Sequence, residues 1–197
     1  AILCERGGIL DVVKILDFGL VKEIAQTDGN LTHANVLVGT PLYMAPETIS
    51  HPGKASPQSD LYAIGAVGYF LLTARNVFEG ANAMEICAMH LGDAPVPPSA
   101  RTGIAVPGDL ETIVLGCLEK DPSRRPGDAA SLRSALLACR DAGTWGQSDA
   151  REWWQSHSAA LAGGGEIAQA PTLSNTELLV DLDYRELTSL HAEPDRQ

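Results

Sequence analysis

The sequence predicts an α+β fold in which a short N-terminal β-hairpin precedes a predominantly helical body. Three observations support this. Two β-type runs, Ile2-Leu3-Cys4 and Val12-Val13-Lys14-Ile15-Leu16, flank Arg6-Gly7-Gly8, the pattern of two strands joined by a glycine turn. Further along, Leu110, Ile113, Val114, Cys117 and Leu118 recur at i, i+3, i+4, i+7 and i+8, which places them on one face of a helix. Hydrophobic residues make up 45% of the 197, enough for a packed core.

After the hairpin, residues 22–38 are polar and lack periodicity, with Thr27, Asp28, Gly29, Asn30 and Thr32 among them. A long exposed loop is expected. Pro46-Glu47-Thr48-Ile49 reads as a short helix with proline in its first turn. The apolar stretch at residues 60–73 reads as a helix buried on all sides, and it is too short to span a bilayer, which needs about 20 residues. Residues 81–91 form a further helix. Residues 93–107 carry Pro95, Pro97, Pro98 and Pro107 and read as a loop. Asp109 is placed to cap the helix of Leu110. Asp128 is placed to cap another, with Leu132, Ala135, Leu136 and Cys139 on one stripe. Residues 148–161, with Trp153 and Trp154, suggest one more helix docked on the domain. Gly163-Gly164-Gly165 then opens an acidic, turn-rich tail. The resulting division is 1–140 for the main domain, 141–162 for a helical extension and 163–197 for a linker or disordered tail.

The formal net charge of −11 argues against bulk attraction to nucleic acid or an anionic membrane. Cys4, Cys87, Cys117 and Cys139 form no C-x-x-C pair and have no histidine at zinc-finger spacing. They read as reduced, mostly buried thiols, which suits the cytoplasm. The N-terminus has no basic region followed by an apolar one, so no signal peptide is read there. His33 is expected at the surface.

Four motifs carry the chemistry. Asp17-Phe18-Gly19 follows the second strand and on its own would pass for a turn. Gly39-Thr40-Pro41-Leu42-Tyr43-Met44-Ala45-Pro46-Glu47 follows the polar loop. Ser59-Asp60-Leu61-Tyr62-Ala63-Ile64-Gly65 opens the apolar helix, and Asp121-Pro122-Ser123-Arg124-Arg125-Pro126 follows the Leu110 helix. In this order and spacing they resemble the serine/threonine protein kinases, with a style like the bacterial members. The resemblance covers residues 1–140. It implies the helical C-terminal lobe of a kinase with the small lobe absent.

The resemblance assigns roles residue by residue. Asp17 would bind the Mg²⁺ that bridges the phosphates of ATP, because a hard cation takes a carboxylate oxygen. Phe18 would pack in the core and Gly19 would permit the turn that aims Asp17. Thr40 would contact the catalytic aspartate and lysine. Glu47 would form a buried ion pair with Arg125, and Asp60 would accept backbone hydrogen bonds from the catalytic loop. Thr27 and Thr32 are candidate phosphorylation sites in the activation loop, although both also suit a solvated loop. Ile2 would be a candidate for the floor of the adenine pocket. The implied cofactors are ATP and Mg²⁺, and the implied partners are proteins with Ser or Thr acceptors.

A Gly-rich loop, a strand lysine with its glutamate, and a His-Arg-Asp catalytic loop with its metal-binding asparagine do not occur in the 197 residues. The chain therefore reads as starting just after the catalytic loop, with the base upstream. This implies a piece of a kinase that transfers no phosphate alone. The alternative is a pseudokinase-like scaffold that docks partners without chemistry.

Overall fold

The computed structural model describes residues 2–15, 41–51 and 53–162. The 22–38 loop, the tail from 163, and Asp17, Phe18, Gly19, Thr27, Thr32, His33 and Thr40 lie outside the described residues. The chain divides into two compact units.

The first unit contains the hairpin and the last helix. Strands β1 (Ile2–Arg6) and β2 (Ile9–Lys14) are antiparallel, with Leu3 opposite Val13 and Cys4 opposite Val12. Gly7 and Gly8 make the turn at φ +60° and +80°, a region open to glycine at no steric cost. Helix α7 (Gln147–Ala162) packs against β2, so the extension docks on the hairpin.

The second unit holds α1 (Pro46–Ser50), α2 (Pro57–Thr73), α3 (Ala83–Gly92), α4 (Pro98–Thr102), α5 (Gly108–Cys117) and α6 (Ala129–Leu137). Helix α2 is its axis. Tyr62, Ala66 and Tyr69 of α2 pack with Val77, Phe78, Val114 and Leu118. Leu61 joins Cys117 and Leu132, which brings α5 and α6 onto the same helix. Ile49 and Cys87 tie α1 to α3. The close approach of α2 to α5 depends on glycine: a Cβ on Gly65 would stand 2.6 Å from Cys117 Cβ, far inside contact distance.

Several expectations are corrected. Helix α2 is not buried on all sides: Ile64, Val67 and Leu71 are 49%, 45% and 77% exposed, and their i, i+3, i+7 spacing makes one bare stripe. A continuous apolar run hides that period from a reading of hydropathy. The 93–107 loop contains α4, because Pro98 sits at a first-turn position, where its missing N–H costs nothing. Asp109 is not the cap of α5, which starts at Gly108 after Pro107. Its Oδ2 instead accepts the Arg140 N–H at 2.8 Å. Asp128 does cap α6, accepting from Ser131 N at 2.7 Å, but of the expected α6 stripe Leu132 is buried and Leu136 is exposed. Cys87 and Cys117 are buried, whereas Cys4 and Cys139 are half-buried, and all four thiols are free.

His90 of α3 is fully buried. Its Nδ1 lies 2.8 Å from Tyr62 Oη, and Phe78 meets its ring edge-on. Lys120 Nζ closes the C-terminal end of α3, donating to His90 O at 2.7 Å and Met89 O at 3.3 Å. It also lies 4.6 Å from the Phe78 ring centroid, within cation–π range. Burial, followed by the Lys120 charge, pushes the His90 pKa down to about 4.

Two outcomes follow. Gly65→Ala should destabilise the helical unit by about 1–3 kcal/mol through overpacking against α5, measured as a lower midpoint in urea. Because its folded pKa is depressed, His90 contributes stability that is complete above about pH 6.5 and lost as pH falls towards about 4, up to about 3 kcal/mol. Urea titrations across that range should show His90→Gln, although less stable at pH 7, losing less stability than the parent chain.

Candidate functional site

The site begins with a turn. Residues Pro41–Tyr43 form a 3-10 turn closed by Met44 N donating to Pro41 O. Ala45 is extended, and Pro46 then starts α1 with φ already set for a helix. This places Glu47 in the first turn, where a carboxylate suits the helix dipole. On the other side of the site, Asp121 Oδ1 accepts from Ser123 N at 2.9 Å and Ser123 Oγ at 2.7 Å. That cap organises the 3-10 turn Pro122–Arg124 and delivers Arg125 into the interior.

The two sides meet in a bidentate pair. Arg125 Nη1 donates to Glu47 Oε1 at 2.7 Å and Nη2 to Oε2 at 2.8 Å. The remaining donors go to Gln58 O at 2.8 Å, Glu119 O at 2.8 Å and Lys120 O at 3.1 Å. A guanidinium has five N–H donors, and each has a partner. The Arg125 side chain is wholly buried, and the Glu47 side chain is 17% exposed. Tyr62 lies under the guanidinium, 4.9 Å from Cζ to ring centroid. Ser59 Oγ also donates to Glu47 Oε1, at 2.8 Å. Burial works to raise the Glu47 pKa, but the hydrogen bonds from Arg125, with those of the backbone and Ser59, bring it below the ordinary value. Glu47 is thus held as the carboxylate, and this geometry anchors rather than catalyses.

The anchored segment and the turn that holds it sit in residues 2–137, and this stretch matches the protein kinase domain. The chain belongs to the protein kinase family. It is 37% identical over 131 residues to the serine/threonine-protein kinase pkn3 of Myxococcus xanthus, covering 65% of this chain and 24% of that protein. It is 40% identical over 135 residues to Pkn1 of the same organism, covering 68% and 19%. Against PknB of Mycobacterium tuberculosis it is 34% identical over 128 residues, covering 64% and 20%. The chain thus spans about a fifth to a quarter of the length of these curated relatives.

Of the residues that the kinase resemblance singled out, the structure brings Glu47 and Arg125 together. Asp60 is exposed on the first turn of α2. Ile2 pairs with Lys14 across the hairpin and is 46% exposed. Among the described residues no cluster of three or more His, Cys, Asp or Glu is gathered as a metal site, and no helix is long and apolar enough to cross a membrane. The sequence reading missed Ser59, Tyr62 and the three backbone carbonyls around Arg125. Ser59 stands beside Asp60 in a motif already noted, but carbonyl acceptors leave no trace in a sequence.

Glu47→Ala and Arg125→Ala should each destabilise the helical unit by about 3–5 kcal/mol, since each leaves a charge unpaired. The double variant should cost little more than either one. Additive losses in a urea denaturation series would contradict the coupling.

Proposed function

We propose that this chain is the helical C-terminal lobe of a serine/threonine kinase, and that the protein containing it transfers the γ-phosphate of ATP to Ser and Thr hydroxyls of other proteins. The observation that carries this reading is the bidentate Glu47–Arg125 pair. It ties down the C-terminal end of the Gly39-to-Glu47 stretch, and Thr40 lies seven residues before that anchor. The kinase resemblance gives that hydroxyl contacts to the catalytic aspartate and lysine. The relatives are named as serine/threonine kinases.

Asp17 would hold Mg²⁺, because its carboxylate is the hard oxygen donor such a cation takes. The nucleotide with its metal supplies the phosphoryl group and neutralises its charge. Gly19 gives the backbone freedom beside Asp17, and Phe18 gives an apolar group whose packing sets the segment. Ile2 contributes to the adenine side. Asp60 receives the catalytic loop, and Thr27 or Thr32 accepts a regulatory phosphate. The functional division we propose is 1–140 for the kinase lobe, 141–162 for a helical extension and 163–197 for a linker or disordered tail. The four free thiols suit a cytoplasmic setting. The 197 residues contain no His-Arg-Asp base, so alone they transfer no phosphate.

In the phosphate-transferring protein, Asp17→Ala should lower transfer at least about a thousandfold with an unchanged circular dichroism spectrum. Activity kept within about tenfold would remove Asp17 from the metal site. The isolated 197-residue chain, assayed with ATP, Mg²⁺ and an acceptor protein, should show no transfer, and labelled product would overturn the missing base. A containing protein that binds partners but never transfers phosphate would instead support the scaffold reading.

A further inference from the structure

Strand β2 has an irregularity that the kinase reading does not use. Cys4 pairs with Val12 and Arg6 with Ile9, so Glu5 alone faces two residues, Leu10 and Asp11. This is a β-bulge, which leaves backbone groups outside the ladder and redirects a side chain. Asp11 stands at φ +58°, a left-handed conformation that asparagine and aspartate adopt more readily than most residues.

Both consequences of the bulge are met by the extension. Gln147 at the start of α7 treats Leu10 as a neighbouring strand would: its Oε1 accepts the Leu10 N–H at 2.8 Å and its Nε2 donates to Leu10 O at 3.1 Å. Asp11 turns its carboxylate to two indoles. Trp145 Nε1 donates to Oδ2 at 2.9 Å and Trp154 Nε1 donates to Oδ1 at 2.7 Å. Hydrogen bonds to an ionised acceptor are the stronger kind, and they hold the Asp11 carboxyl below its ordinary range, Trp154 contributing most. A helix that merely covered apolar surface would not need four directed hydrogen bonds to one bulge. Leu3, Ile9 and Val13 stay more than half exposed, so covering them is not what the extension does.

Lys14, the last residue of β2, precedes Asp17 by three positions. We propose that Trp145, Gln147 and Trp154 form an intrachain clasp on the Leu10–Asp11 bulge, and that this clasp positions β2, the strand that precedes Asp17 in sequence. Asp11 is then a positioning residue, and the extension is a working part of the kinase lobe. The step to Asp17 rests on the kinase reading, whereas the clasp does not.

The clasp is tested on the 197-residue chain by hydrogen exchange followed peptide by peptide. Asp11→Asn keeps side-chain size and replaces one acceptor oxygen with an amide donor, and the double variant Trp145→Phe, Trp154→Phe keeps an aromatic ring while removing both indole N–H donors. Each should speed amide exchange over residues 9–17 by about tenfold or more and leave residues 57–118 unchanged. All three tryptophans of the chain lie at 145, 153 and 154, so emission from Asp11→Asn should shift to the red. Unchanged exchange at 9–17 overturns the clasp, and acceleration throughout the chain reduces it to general stability. Positioning is tested in the phosphate-transferring protein, where the same variants should raise KM for Mg·ATP about tenfold and Asp11→Glu should restore part of the loss. Faster exchange with unaltered KM and kcat overturns the positioning role. Absence of transfer by the parent overturns the kinase reading, and with it the link to Asp17, while the exchange result still decides the clasp.

Discussion

Arg125 is the point on which the helical unit depends. Its donors reach Glu47 from α1, the Gln58 carbonyl in α2, and the Glu119 and Lys120 carbonyls after α5. One side chain thus joins the start of α1 and α2, 78 and 67 positions away in sequence, to its own neighbourhood after α5. A buried charge pair of this kind adds little net stability over an apolar substitute. What it does here is specify. Helix α1 is five residues long, too short to persist on its own. The carboxylate of Glu47 holds it in place together with the buried Pro46 and Ile49 and the core residue Ala45 before it.

That dependence explains why some features were legible in the sequence and others were not. Glu47 and Arg125 lie 78 positions apart, and no periodicity links them; the motif pattern shared with protein kinases does. The hairpin was legible because Gly7-Gly8 separates two β-rich runs. The faces of α5 and the Asp128 cap followed from helical spacing and side-chain chemistry. Errors arose where a local rule had a second solution. Prolines that usually mark a loop instead opened α4, and an aspartate near a helix start bonded a distant amide. The bulge at Leu10–Asp11 was not legible, since one extra residue in a strand alters no pattern of polarity.

The two units differ in how much large-side-chain packing accompanies their hydrogen bonds. In the helical unit, large side chains such as Tyr62, Tyr69 and Leu118 are at most 1% exposed, and packing against Gly65 and Gly68 sets the helix spacing. In the hairpin unit, directed hydrogen bonds tie the bulge to Trp145, Gln147 and Trp154 beside the buried Ala150, while several aliphatic side chains face outward. Apolar packing tolerates small sliding motions, whereas a bidentate amide and two indoles on one carboxylate lose their partners within an ångström. The hairpin unit shares this sensitivity with the Arg125 network of the helical unit, where a lost donor or acceptor also leaves a partner bare.

The bare stripe of Ile64, Val67 and Leu71 on α2 has a further consequence, in colloidal behaviour. Apolar side chains repeated along one helix face attract like faces, and that attraction is insensitive to dilute salt. The opposing term is the repulsion between chains that each carry a net charge of −11, and simple salt screens it over about 10 Å at 0.1 M. Solubility of this polypeptide is therefore governed by ionic strength: dilute buffer keeps the molecules apart, and added salt leaves the stripe free to bring them together.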